Sequence, residues 1–506
     1  MAVSSAPSPV PKQLGPNPMR WRSLLAICVL IGVIWILSDG FVIAIPSIAR
    51  DIGGSAGQLA WGVIGFALGA CFCALYGRLG DQRGNRGMVV AGSLIFVAGS
   101  VIGGLAEHPH GLVAARVVQG IGGYAVFTCS LSLITLEFPL AERARALGIR
   151  AALVWASSGS AVLLLALVVQ LLGWRWIFWL AIPVALLALV LTVSSTPEFR
   201  QGERGSGLDA PAAVALAASF TVLTLALTQS DRLDALAFIG MVAASAALMG
   251  AFVLIEQRAS NPLIPHSVWR HATFSGSIAV NFLLGLALAG IFYALALYLQ
   301  TIRGLGVVSA STVLLGATVA IVLFNLPGAR LATRGRYSPQ VIAGMGFMAV
   351  GCALVFFGVQ ADGTAGLFAG LAVIGASVGI QLTSLATMQV SSAGTTKGVA
   401  AGVVGIVFGV SGALGVGLAT ALMQNVGRYE IGRPAAEKVL EGTSTEEVLG
   451  VFSGSVPLGD FSVNQAKTIT DAFDGGVMSC AVVFGLLALA GLGVAIALLR
   501  DVRIEE

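Results

Sequence analysis

The chain is 506 residues long, 57% hydrophobic and 10% charged, with a mean hydropathy of +0.92. A soluble domain carries about 25% charged residues, so a water-soluble globular protein is excluded and an integral membrane protein with many spans is indicated. The net charge of +4 is small and gives no footprint for nucleic acid.

Residues 1–21 are rich in Pro and Ser and read as a disordered cytoplasmic N-terminus. The first apolar run lacks a small-residue cleavage site after it and reads as a retained span. Apolar runs of spanning length fall at 22–46, 57–77, 87–106, 111–136, 147–172, 176–194, 211–229, 235–255, 273–300, 308–328, 340–360, 364–391, 398–424 and 475–499, fourteen in all. They divide into a six-helix bundle over 22–194, two inserted helices with a cytoplasmic loop over 195–272, and a second six-helix bundle over 273–499. A short tail follows at 500–506. With both ends on one side, the segments on that side hold 19 Lys and Arg, against four in the short loops opposite. That bias places both termini in the cytoplasm. The 425–474 loop is the one long polar insertion on the outer side; it reads as a solvated loop with a short surface helix near Ala435–Leu449.

All six cysteines, at 28, 71, 73, 129, 352 and 480, lie in apolar runs. They read as small packing residues, with no metal site expected. Trp174, Trp176 and Trp179 read as an interfacial belt. Gln170, Asn281, Tyr293, Asn325, Gln381, Thr383, Gln389 and Gln424 are polar residues within runs, expected chiefly to bond between helices. No Walker loop or nucleophile elbow occurs, so nothing points to an enzyme.

Charge inside an apolar run is costly and therefore informative. Asp39 lies in the first run and Arg116 in the fourth, both ~8–10 Å below the outer surface at 1.5 Å per residue. Equal depth permits an ion pair or a water-bridged pair, and protonation of Asp39 would release Arg116. Gln119 sits one turn from Arg116, on the same face. Between the second and third runs lies Tyr76–Arg86, YGRLGDQRGNR, with four charges in the nine residues from Arg78 to Arg86. It must turn tightly at the water surface, and Asp81 can meet Arg83 or Arg86 there. Its Arg-Leu…Arg-Gly pattern recurs at 330–335, which points to two parallel repeats.

Gly77, Leu79, Asp81, Gly84 and Arg86 resemble the loop signature Gly-x-Leu-x-Asp-x-x-Gly-x-Arg of the major facilitator superfamily. Leu112, Arg116, Gln119, Gly120 and Gly122 match its second signature, Leu-x-x-x-Arg-x-x-Gln-Gly-x-Gly. The run count, the loop 258–274 and the long outer loop resemble the 14-span drug–proton antiporter branch of the EmrB/QacA type. The resemblance implies an all-α integral membrane protein of two six-helix bundles plus two extra helices, in the cell membrane. It implies efflux of small amphipathic compounds driven by the proton gradient, with no cofactor and no metal, and a monomer in the lipid bilayer. Arg116 is then implied in proton coupling, and Asp81, with Gly77, Gly84 and Arg86, in conformational gating. Glu137, at the inner end of the fourth run, is expected to join Asp81 and Arg86 in a cytoplasmic charge network.

Two departures stand against the pattern. Asp39 is seven residues before Pro46, where the branch has nine, and two residues rotate a helical side chain by ~200°. The fifth run reads WASSGSAVLLLALVV at Trp155–Val169, without the antiporter Pro and Gly pair that would bend it. A facilitator or lipid translocator without proton exchange, or a sensor that moves nothing, are the alternatives.

Overall fold

The computed structural model describes residues 19–53, 56–197, 210–228, 233–259, 262, 271–332, 334–361, 364–391, 397–452, 456 and 458–500. The expected N-terminal tail and most of the loop before the ninth run lie outside them. Among the described residues the structure is helical, and a helix covers each of the fourteen apolar runs. The N-terminal half contains α1 (Arg20–Ile52), α2 (Ala56–Ala67), α3 (Cys73–Arg83), α4 (Asn85–Gly104), α5 (Pro109–Glu137), α6 (Leu140–Leu172) and α7 (Trp176–Ser195). A 3-10 turn, Leu68–Phe72, joins α2 to α3 within one span. Then come α8 (Ala210–Thr228) and α9 (Ala235–Arg258). The C-terminal half contains α10 (Ala272–Thr301), α11 (Val307–Ala332), α12 (Ser338–Gln360), α13 (Thr364–Ser391), α14 (Lys397–Ile431), α15 (Pro434–Val439), α16 (Thr445–Phe452) and α17 (Val463–Leu499).

Twelve spans are long and apolar enough to cross a membrane, and α6 makes a thirteenth if its two segments count as one. Those segments, Ala141–Ala161 and Leu163–Leu172, meet at 43°, so the fifth span bends without the family's proline. The shorter α8 offers an apolar stretch of Pro211–Leu227.

The packing has a two-fold pattern. In the first half α1 packs on α6 and α7, α4 on α5 and α7, and α2 on α5. In the second half α10 packs on α14 and α17, α12 on α13 and α17, and α11 on α13. The halves meet through α3 against α14 and α6 against α11, a pair of contacts that the same exchange converts into each other. The sequence repeat has its counterpart in the backbone. Gly84 turns α3 into α4 at φ 108, and Gly335 turns α11 toward α12 at φ 71. Both values are in the left-handed region, where only glycine sits without strain. The inserted pair packs on itself, and α8 carries it onto α14, the 3-10 turn and α3. Only 6% of the α9 span is buried, against 83% for α5. The first faces lipid and the second is the central rod.

In lipid, helices are held by close packing of small residues. The second signature supplies them on α5. A methyl group on Gly120 would lie 2.1 Å from the Phe66 carbonyl oxygen, and one on Gly122 would lie 2.4 Å from that of Gly92. Backbone thus packs on backbone across α5–α2 and α5–α4.

The face at which α1 begins and α17 ends, called here the tail face, is tied by polar contacts. Arg20 grips Glu142 through two 2.9 Å bonds. Ser23 Oγ donates to Glu137 at 2.8 Å and lies 2.6 Å from the Thr196 hydroxyl. Arg78 Nη1 donates to the Pro262 carbonyl at 3.1 Å.

The outer loop departs from its expected solvated form. Two short helices, α15 and α16, replace the single one, and Leu440, Val448, Val451 and Phe452 are buried. Phe452 stacks on Phe473 of α17 at 4.9 Å. The tryptophan belt is corrected too. Trp176 is exposed, but Trp174 is buried and donates its indole N–H to Asp51 at 3.0 Å. Trp179 meets Gly104 of α4.

Asp51 stands at the end of α1, beyond its spanning window, and also pairs with Arg175. Arg175 in turn donates to the Ala106 carbonyl at 3.2 Å. Hydrogen bonds from Arg175 and Trp174 hold the Asp51 carboxyl below the usual carboxylate range. A depressed carboxyl contributes stability above its unfolded value of about 3.9 and loses it as pH falls through the folded value. Thermal unfolding of the wild type should therefore lose ground below about pH 4 in a step that Asp51→Asn lacks. Identical acid profiles would rule out the latch.

Candidate functional site

Arg116 is fully buried on α5 and aims between α1 and α2. Its Nε donates to the Gly62 carbonyl at 3.1 Å, and Nη2 to the Ser38 carbonyl at 3.3 Å. Its Nη1 reaches the Leu37 carbonyl at 3.5 Å and Gln119 Oε1 at 3.1 Å. Gln119 Nε2 passes the chain on to Ser100 Oγ of α4 at 2.9 Å. The guanidinium lies between the rings of Phe41, 4.5 Å away, and Phe66, 4.7 Å away. One cation thus joins α1, α2 and α5, and through Gln119 also α4. Cation–π contact and carbonyl oxygens together replace the hydration that the charge gave up.

Asp39 is one residue beyond the carbonyl that Arg116 grips, yet its carboxylate does not pair with the guanidinium. It is exposed, turns to Ser158 of α6 and to its neighbour Ser38, and interacts with Arg116 only through space. Of the two arrangements that equal depth permits, the direct ion pair does not form between these described residues. Successive residues on a helix point about 100° apart, so a backbone contact at Ser38 does not carry the next side chain with it.

The loop signature lies at the tail face. Gly77 and Asp81 are buried within α3, and Gly84 makes the turn. Arg86 begins α4, partly exposed. Among the described residues neither Arg83 nor Arg86 forms an ion pair with Asp81. Glu137 accepts from Ser23 Oγ of α1, and that hydroxyl in turn lies against the hydroxyl of Thr196 just past α7, so Ser23 links α5 to the end of α7.

Several participants escaped sequence reading. Ser100 and Ser158 are serines in apolar runs, a weak signal. Arg150, one of the tail-face cations in the sequence count and close to the start of the 147–172 run, is buried on α6, which begins earlier, at Leu140. Pro139, just before Leu140, was the available sign of the earlier start. Among the polar span residues, Asn325 of α11 donates to the Gly148 carbonyl of α6 at 2.6 Å, and Thr383 donates to Asn325 at 2.9 Å. This is a hydrogen-bonded link between the halves.

The family model described as Major Facilitator Superfamily matches residues 24–416. The chain belongs to the major facilitator superfamily. It is 31% identical over 430 residues to the puromycin resistance protein pur8 of Streptomyces alboniger, covering 82% of this chain and 84% of that one. It is 27% identical over 414 residues to the quinolone resistance protein NorB of Staphylococcus aureus, covering 79% of this chain and 88% of that one. The human organic anion transporter MFSD10 (TETRAN) has the same fold. Its TM-score is 0.62 at 13% identity, with 96% of this chain and all of that one covered. The protein is therefore a multi-pass membrane transporter, not an enzyme.

Proposed function

We propose that this transporter exports small amphipathic compounds across the cell membrane in exchange for protons. It would work as a monomer, with the tail face in the cytoplasm. The resistance activities named for the relatives support a drug-like substrate, and the excess of Lys and Arg on the tail-face side supports the orientation. One observation carries the coupling. The exposed acid, Asp39, sits on α1 beside the carbonyls of Leu37 and Ser38 that the buried Arg116 holds. Taking up a proton at Asp39 removes a negative charge next to a fixed positive one. That changes the energy of the α1–α5 contact, and of the α1–α6 contact through Ser158. A proton and a substrate can then bias the same two-state element, which is what exchange requires. The missing Pro and Gly pair in α6 favours the second reading, a facilitator without proton exchange.

Asp39→Asn separates the two. In proteoliposomes a pH gradient should drive substrate uptake by the wild type and not by the variant. Movement down a gradient of substrate alone should persist in both. Equal pH-driven uptake by Asp39→Asn would exclude Asp39 as the proton carrier.

A further inference from the structure

A cavity lies between the halves, at a different site from Asp39. Its walls include Phe127 of α5, Arg150 and Trp155 of α6, Asn281 of α10, Gln389 of α13 and Phe408 of α14. Phe408 reaches across from the C-terminal half. It stacks on Phe127 at 5.7 Å and meets Trp155 edge-on at 6.2 Å. The walls are aromatic and aliphatic, and Arg150 is the one ionisable residue among the described lining residues.

Arg150 is 7% exposed. Its Nη2 donates to the Phe127 carbonyl at 2.9 Å and to Ser130 Oγ at 3.4 Å, and its guanidinium lies 4.5 Å from the Phe127 ring centroid. Its Nε is buried without a partner, and Nη1 bonds to no described residue. No carboxylate among the described residues pairs with it. The titratable side chain that feels its charge is Cys28, and a thiol does not neutralise a guanidinium. The contrast with Arg116, whose three nitrogens all donate to protein acceptors, is direct. A cation at membrane depth is expensive and normally faces a partner or a cavity that supplies one. Here the cavity faces it, and the fork of donors is suited to a planar carboxylate.

We infer that this cavity binds an aromatic monoanion, with its carboxylate on Arg150 and its ring system against Phe127, Trp155 and Phe408. A cationic amphiphile would meet an unneutralised guanidinium with no acid to receive it. The inference rests on the export reading for what the occupant is, a transported compound. It deepens that reading by giving the charge of the substrate.

The test is equilibrium binding to the purified full-length transporter, with no pH gradient imposed. Three probes share one ring system: 2-naphthoate, its neutral amide and 2-naphthylmethylammonium. Naphthoate should bind about 10- to 100-fold more tightly than the amide, the range for a charge-assisted bond, and the ammonium should bind least. Arg150→Gln should erase the preference for naphthoate while leaving amide binding within about threefold, since the aromatic walls remain. Arg150→Lys, which keeps the charge, should keep part of the preference even if the glutamine variant folds poorly. Ammonium binding as tight as naphthoate, no naphthoate binding, or a preference that survives Arg150→Gln would each overturn the assignment. Failure of proton exchange would show in the flux measurements on Asp39→Asn and leave this binding series unchanged.

Discussion

Arg116→Ala is expected to lower transport about a hundredfold or more and to destabilise the protein by about 3–5 kcal/mol, the range for removing one member of a buried charged set. The cause is the set of acceptors left behind. Gly62, Leu37, Ser38 and Gln119 all present oxygens to this one guanidinium. Most have no water to turn to, because the guanidinium is fully buried beneath Phe41 and Phe66 and only the Ser38 contact is part-buried. Arg116→Lys separates charge from geometry. An ammonium keeps the positive field at Asp39 but cannot reach acceptors on α1, α2 and α5 together. It should recover part of the stability and little of the transport. Flux in proteoliposomes and the unfolding temperature of the purified variants read the two effects separately. Wild-type flux in Arg116→Ala would remove Arg116 from the mechanism.

The parts of this architecture that were legible in the sequence are those set by local spacing. The Gly-x-Leu-x-Asp-x-x-Gly-x-Arg turn and the Arg116–Gln119–Gly120–Gly122 face are each no more than ten residues long, so their residue order is nearly their geometry. Charge also marks the water boundary well, but it does not mark where a helix ends. The α1 helix runs past Pro46 to Ile52, α14 runs to Ile431, and α17 begins at Val463. Backbone bonding continues into water at little cost, while hydropathy stops at the first polar residues. That mismatch hid Arg150, which stands near the start of the 147–172 run in the sequence but about three turns into α6 in the structure.

The relation between Asp39 and Arg116 shows a second limit. Counting residues gives position along a helix, and both groups lie within candidate spans, Arg116 in Pro109–Glu137 and Asp39 near the end of Arg20–Phe41. Direction around the axis depends on which neighbour each helix packs against, and this is a tertiary fact. The packing of α1 on α6 turns Asp39 toward Ser158, while Arg116 takes the backbone of the residue before it. Asp39 and Arg116 are therefore neighbours on and around α1 rather than a closed pair. A proton can reach one without first breaking the other's bonds.

Gly402→Ala is expected to cut transport about tenfold or more while leaving expression intact. Gly402 is where α14 crosses α3 between the halves. A methyl group there would lie 2.5 Å from both the Cα of Ala74 and the Cys73 carbonyl oxygen. Those are backbone atoms and cannot swing aside, so the helices must separate. Overpacking of this kind costs about 1–3 kcal/mol, enough to move a two-state equilibrium about tenfold. Each half keeps its own internal packing, so folding should survive. Cys73 reports the separation, because its sulfur lies under Gly405 of the same contact. In a background with Cys73 as the sole cysteine, maleimide labelling should be about tenfold faster in Gly402→Ala. Gly412→Ala is the control on the same helix, since no neighbour lies within 4 Å of a methyl group there. The symmetry-related contact is tight as well: a methyl on Gly159 would lie 2.7 Å from Thr318 Cβ, an atom that side-chain rotation does not move. If Gly402→Ala behaves like Gly412→Ala, then the α3–α14 crossing does not hold the halves together, and the change of state must turn on α6 and α11 instead.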